Sequence, residues 1–193
     1  KNYEGAVKAL CTSYYLAGTS ANIERAIIEL HLFLEDYQNA LRWCDIALRG
    51  ANAGKNEIEL ARAETLISLA LYEEAAVALL KLAKPDMPIV KQKSFNLLGR
   101  LEYANGRLDS AASYWVQYVD AGGGEHEILR FLLNYFYQHC DYAKARKFIA
   151  SLNGFVAEDE MIVKIRFSCL LHLGDQEGAR GAAISYIAQK GLD

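Results

Sequence analysis

Apolar residues recur three and four positions apart in successive stretches of the chain, which is the spacing of one face of an α-helix. Examples are the stretches from Ile23 to Phe33 and from Leu108 to Val119. Short polar segments such as Asn105-Gly106 and Gly174-Asp175 separate the two stretches of a pair, and Asn, Asp and Gly favour helix caps and tight turns. The pattern therefore predicts pairs of helices and an all-α fold.

The helix pairs recur at a nearly fixed period. Successive gaps of 34, 35, 36, 34 and 34 residues separate six positions: Tyr3, Tyr37, Tyr72, Leu108, Tyr142 and Gln176. An alanine follows each of these anchor positions by three residues: Ala6, Ala40, Ala75, Ala111, Ala145 and Ala179. We expect the alanine to let the second helix pack closely on the first, and the aromatic anchors to fill the space at the turn. Since no pair can bury its apolar face alone, the pairs are predicted to stack into a solenoid.

A helix-turn-helix unit of 34 residues, with Asp-Tyr at the turn and Ala three residues later, resembles the tetratricopeptide repeat (TPR). The best single match is Leu98-Gly99 with Gly106, Leu108 and Ala111, followed by Asp141-Tyr142 with Ala145. The other units lack the Leu-Gly pair, and the Trp near the start of the first helix is absent, so the array is divergent. The resemblance implies a right-handed superhelical solenoid in which the first helix of each unit lines a concave wall.

The repeat pattern also predicts boundaries. We expect a single TPR-like domain over residues 1–193, with a leading helix at 3–13 and repeats at about 21–50, 57–84, 91–120, 126–152 and 159–189. The chain begins in the second helix of a repeat, and this indicates that it is a segment of a longer protein. The last helix carries Ile184, Tyr186 and Ile187 without a polar capping helix after it, so self-association through uncapped ends is expected.

Composition narrows the function classes. The 21 basic and 24 acidic residues give a net charge of -3, which argues against binding to nucleic acid as the main role. The apolar runs are far shorter than the roughly 18 residues of a membrane-spanning helix, so no membrane insertion is expected. Four cysteines without C-x-x-C spacing favour free thiols and a cytoplasmic protein. A periplasmic or exported segment remains an alternative.

Candidate catalytic and metal motifs are incomplete. His126-Glu127 precedes Arg130 where a zinc-protease motif needs a second histidine. His139-Cys140-Asp141 has the residue types of a nucleophile and its base, but we expect Asp141 to cap a helix and the three side chains to diverge. Gly122-Gly123-Gly124 lacks the Gly-Lys-Ser/Thr of a phosphate loop. We therefore predict no enzymatic activity, no metal and no cofactor.

The placement of the first helices implied by the resemblance defines a candidate groove. Its predicted residues are Asn22, Arg25, Glu29, Phe33, Glu57, Glu64, Lys93, Asn96, Arg100, Tyr103, Arg130, Asn134, Tyr137, Gln138, Lys164 and His172, with Leu60, Ser68, Glu127 and Ser168 at neighbouring positions. Acidic residues prevail in the first two repeats and basic residues in the last three.

The uneven charge of the groove indicates its partner. Arginine and lysine bind carboxylates, and Asn and Gln can hydrogen-bond to an extended backbone. The sequence thus predicts a scaffold or adaptor that binds a protein or peptide whose acidic segment lies over repeats three to five. The alternatives are a regulatory or sensor domain of a larger protein and, less favoured, a helical repeat that binds RNA.

Overall fold

The computed structural model describes residues 2–18, 20–50, 54–84, 87–151 and 160–190. These ranges contain eleven helices and no strand. In order they are α1 (Tyr3–Ala17), α2 (Ala21–Phe33), α3 (Tyr37–Arg49), α4 (Lys55–Ser68), α5 (Tyr72–Leu82), α6 (Pro88–Ala104), α7 (Leu108–Asp120), α8 (His126–Gln138), α9 (Tyr142–Ser151), α10 (Glu160–His172) and α11 (Gln176–Lys190). The architecture is an all-α helical-repeat solenoid, as predicted.

The chain divides into two compact units, Lys1–Ala121 and Gly122–Asp193. In unit 1 the first helices of the repeats are α2, α4 and α6, and the second helices are α1, α3, α5 and α7. In unit 2 the first helices are α8 and α10, and the second helices are α9 and α11. The prediction of one domain over the whole chain stays a prediction.

Each second helix begins at an anchor position, and at four of the six the side chain of the preceding residue caps the helix. At α5 and α7 the preceding residues, Leu71 and Arg107, make no side-chain cap hydrogen bond. The side chains of Asn2, Asp36, Asp141 and Asp175 each accept a hydrogen bond from the backbone N–H three residues later, at 2.9 to 3.4 Å. Such caps satisfy N–H groups that lack partners within the helix. The predicted cap at Asp141 is confirmed.

The turn inside every described helix pair has the same backbone conformation. Five residues at equivalent positions have positive φ between 57° and 75°: Glu35, Ala70, Gly106, Cys140 and Gly174. In each turn the next residue donates its N–H to a carbonyl five positions back at 2.9 Å, as Leu71 does to Leu66. This is the Schellman arrangement, which satisfies the last carbonyls of the first helix.

These backbone bonds form at every turn, whether the anchor side chain is half-buried or exposed. The tyrosine anchors are half-buried, whereas Leu108 is 45% exposed and Gln176 is exposed. The expectation that the anchor fills the space at the turn therefore holds only in part.

The alanines after the anchors lie where the two helices of a pair approach each other. Ala40, Ala75, Ala111 and Ala145 have no exposed surface, and Ala179 is 1% exposed. Only Ala6, on the leading helix α1, is half-buried. The predicted close approach is confirmed at the five complete pairs.

Apolar side chains from three successive helices form the core of unit 1. One cluster joins α2, α3 and α4 through Ile27, Ile28, Trp43, Cys44, Ala47 and Ile58. A second cluster joins α4, α5 and α6 through Leu66, Ala75 and Leu101. In unit 2, Phe136 of α8 stacks on Phe148 of α9 with ring centroids 5.6 Å apart, and Leu170, Ala179 and Ala182 join α10 to α11. In unit 1 the core thus runs from one pair to the next.

Unit 1 also buries polar groups that the apolar pattern did not indicate. Glu24 is 1% exposed on α2, and the pKa of Tyr14 on α1 is raised by its own burial and by the charge and hydrogen bond of Glu24. His31 is 7% exposed and lies 3.0 Å from the Asp36 carboxylate. These side chains tie α1 and the α2–α3 turn to α2.

Candidate functional site

The first helices form the inner side of each unit. In unit 1, α2 contacts α4 and α4 contacts α6, and in unit 2, α8 contacts α10. Among the described helices, second helices pack against first helices but not against one another. When helices of successive pairs lie closer together on one side of a stack, the stack curves toward that side. The first helices therefore line the concave side within each unit.

The predicted groove residues lie on the surface of these first helices. Asn96, Arg130 and Tyr137 are half-buried, and the other thirteen predicted residues are exposed. Leu60, which we expected beside them, is instead 6% exposed. It belongs to the core because α4 buries a broad face that also includes Ile58, Ala63 and Leu66.

Unit 2 gathers four predicted residues around one cavity of about 540 Å³. Asn134, Tyr137 and Gln138 line it from α8, and Lys164 lines it from α10. The sequence did not indicate the other lining residues, which are Glu160, Met161 and Ile165. The sequence carries only a weak signal for them, because Glu160 and Met161 precede Lys164 by one helical turn whereas Ile165 follows it directly.

A chain of aromatic contacts fixes Tyr137 at this cavity. The Tyr137 hydroxyl lies 3.1 Å from the Ser168 Oγ on α10, and either group can donate the hydrogen bond. The Tyr137 ring meets the Tyr142 ring edge-on at 6.0 Å. The Tyr142 ring in turn stacks on His172, with centroids 4.2 Å apart and planes 2° from parallel. His172 therefore supports Tyr137 through Tyr142, although it does not line the cavity.

The charged groups of the cavity form an ion pair at its rim. Lys164 Nζ lies 2.8 Å from Glu160 Oε1, one helical turn away, and both side chains are exposed. The hydrogen bond and the charge of Glu160 raise the pKa of Lys164. An ion pair as exposed as this one contributes little free energy, so the ammonium remains accessible to another carboxylate.

In unit 1 the predicted residues form smaller groups. On α6, the Arg100 Nε donates a hydrogen bond to the Asn96 Oδ1 at 3.1 Å. Tyr103, 52% exposed, packs against Trp115 with centroids 5.6 Å apart. The opposite charges of Arg25 and Glu57 flank Gly54, at the start of α4. A methyl group added to Gly54 would lie 3.2 Å from Arg25 Nη2 and 3.5 Å from Glu57 Oε2.

Phe33, at the end of α2, packs on Tyr3 with centroids 4.8 Å apart and remains 64% exposed. The remaining predicted residues of unit 1 are the exposed side chains of Asn22, Glu29, Glu64 and Lys93.

The residues of His139-Cys140-Asp141 do not converge on one point. His139 Nδ1 bonds to the Tyr135 carbonyl at 2.8 Å, while Asp141 caps α9 and its pKa is lowered by hydrogen bonds from Lys144. Glu73 and Glu74 lie in the first turn of α5, where negative charge favours the helix dipole. Of the acidic group at 158–160, only Glu160 is within the described residues, and it begins α10.

The four cysteines are free thiols, and burial raises the pKa of Cys44 to about 12. Among the described residues, no three His, Cys, Asp or Glu side chains group closely enough to hold a metal ion. Within the same ranges, no helix combines the length and the apolar character that crossing a bilayer requires.

Two solved structures are similar to the chain over its whole length. PilF of Pseudomonas aeruginosa superposes with a TM-score of 0.69 at 15% identity, covering 100% of this chain and 90% of that one. YrrB, described as a TPR protein with an unusual peptide-binding site, has a TM-score of 0.57 at 13% identity, covering 99% and 93%. The fold is TPR-like. No family model and no curated protein matches the sequence, which agrees with the divergence of its TPR-like repeats.

Proposed function

We propose that this TPR-like protein is a non-catalytic scaffold or adaptor, and that the first helices, on the concave side within each unit, bind a peptide or partner segment with acidic residues. The observation that carries the proposal is the cavity of unit 2, where Asn134, Tyr137, Gln138 and Lys164 meet. Amides, a fixed tyrosine and an accessible ammonium are the groups that bind polar, acidic peptides.

The charge of the first helices supports an acidic partner. Lys93 and Arg100 are exposed on α6, Arg130 is half-buried on α8, and Lys164 is exposed on α10. Complementary charge mainly increases the rate of association and the specificity of binding. Binding should therefore weaken as salt concentration rises.

Structural similarity supports the same class of function. YrrB, which has a peptide-binding site, shares the fold, and folds of this kind present extended concave surfaces to their partners.

The proposed self-association rests on a separate feature, the apolar side chains of Ile184 and Ile187 on α11, which are 56% and 47% exposed.

Charge reversal on the concave face tests the proposal. The variant carrying Arg100→Glu and Arg130→Glu should bind a fluorescently labelled pool of Asp- and Glu-rich peptides at least about tenfold more weakly than the unaltered protein. The probe is compared with a matched pool in which Asn and Gln replace the acidic residues, and anisotropy measures binding.

The control makes the same change in net charge on second helices, through Arg42→Glu and Arg180→Glu, both of which are exposed. It should retain the affinity of the unaltered protein, and far-ultraviolet circular dichroism should show equal helicity in all three proteins. Equal losses in the two double variants would mean that net charge alone controls binding, and the concave face would then have no special role.

A further inference from the structure

Two amides on α8 match the spacing of an extended peptide. Asn134 and Gln138 are both exposed and four residues apart, which is about 6 Å along a helix axis. In an extended chain, backbone groups that point the same way recur every two residues, about 6.6 Å apart. Because each side-chain amide both donates and accepts, the pair can bind the backbone of alternate peptide residues.

Next to these amides, the bottom of the cavity is apolar. Ile165 is 4% exposed and Met161 is half-buried. The Tyr137 ring is held beside them by Ser168 and Tyr142, so it loses little conformational freedom when a ligand binds. Met adapts its shape to different apolar groups. A peptide held by the amides would therefore place an apolar side chain here.

Helix α10 also brings a positive charge to the cavity. Lys164 reaches the cavity from α10, and its partner Glu160 is an exposed residue on the same helix. A peptide carboxylate can replace Glu160 at small cost, since exposed ion pairs of this type are weak. Successive side chains of an extended peptide point to opposite sides. A carboxylate next to the buried apolar residue would then lie near the rim and within reach of Lys164.

We infer that the cavity between α8 and α10 selects an extended segment of a partner protein in which an apolar residue stands directly beside an aspartate or glutamate. The inference rests on the function proposed above and adds the residue types that are recognised. The apolar side chain packs on Met161, Ile165 and Tyr137, and the carboxylate pairs with Lys164. Asn134 and Gln138 hydrogen-bond to the peptide backbone.

Selection from a display library of random decapeptides, with the whole chain as bait, tests this inference. The selected peptides should share an apolar residue adjacent to Asp or Glu. Synthetic copies should bind about tenfold more weakly when Asn134→Ala and Gln138→Ala are combined, because two hydrogen bonds are lost. Selection on Met161→Ala should reduce the enrichment of apolar residues, and selection on Lys164→Ala should reduce that of acidic residues.

The matched control is Lys147→Ala, which removes an exposed lysine of α9 that does not line the cavity. It should select the same peptides as the unaltered chain. Two results would overturn this inference and leave the proposed function standing. In the first, the selected peptides lack the motif. In the second, the cavity variants bind the selected peptides with unchanged affinity, whereas the variant with Arg100→Glu and Arg130→Glu binds them more weakly. If the chain selects no peptide at all, both are overturned.

Discussion

Replacement of Gly99 by alanine should destabilise unit 1 by about 2 kcal/mol. A methyl group at Gly99 on α6 would lie 2.7 Å from Trp115 Cε2 and closer still to Nε1 and Cδ1 of the same indole. Trp115 is 5% exposed on α7, so neither the ring nor the helix can move away freely. Overpacking of this kind costs about 1 to 3 kcal/mol, and it exceeds the gain of up to about 1 kcal/mol from a better helix former.

Urea unfolding followed by tryptophan fluorescence measures this effect. Both tryptophans of the chain, Trp43 and Trp115, lie in unit 1, so the signal reports on the altered unit. The control is Gly181→Ala on α11 of unit 2, where an added methyl group meets nothing within 4 Å. Because unit 2 contains no tryptophan, circular dichroism during the same urea titration follows this variant. That variant should be stabilised by about 0.5 to 1 kcal/mol. If Gly99→Ala is also neutral or stabilising, α6 and α7 do not approach as closely as described.

Replacement of Ala145 by leucine should destabilise unit 2 by about 3 kcal/mol. Ala145 has no exposed surface, and it follows the Tyr142 anchor by the three residues that recur along the array. A leucine here must separate α9 from α8, with which it packs, and this loses contacts on both sides of the joint.

The same substitution two residues earlier is the control. Ala143 is exposed on α9, and Ala143→Leu should change the free energy of unfolding by less than about 0.5 kcal/mol. Circular dichroism during urea unfolding measures both variants. Equal stability of the two would show that the alanine of the repeat does not mark the helix joint, and that the period has another origin.

Local sequence signals account for most of the fold. Asp at a cap, Gly or Asn in a turn and Ala at a close contact act within a few residues, so they are visible in the sequence alone. The Leu98-Gly99 pair acts over a longer distance, because only a glycine admits the indole of Trp115, on the next helix, so near the backbone of α6. Of these signals the alanine recurs at each helix pair, and its period thereby predicted the solenoid.

Contacts between helices that are not adjacent in sequence were harder to predict. Leu60 was expected at the surface because its spacing matched the concave positions, yet the packing of α4 buries it. Glu24 sits inside unit 1 beside Tyr14 of another helix, and the apolar pattern contains no trace of this pair. Met161 and Ile165 join the cavity only because α10 packs beside α8, a register that spacing along one helix does not determine.

Mapping of the bound peptide on the protein tests the central claim most directly. Backbone amide NMR shifts of the labelled chain are recorded while the acidic peptide pool is added. The account predicts that the largest shifts fall on α8 and α10, around Asn134, Gln138 and Lys164, and that α9 and α11 change little. Shifts concentrated on the second helices would contradict the account. So would the absence of shifts at peptide concentrations that saturate the anisotropy signal of binding.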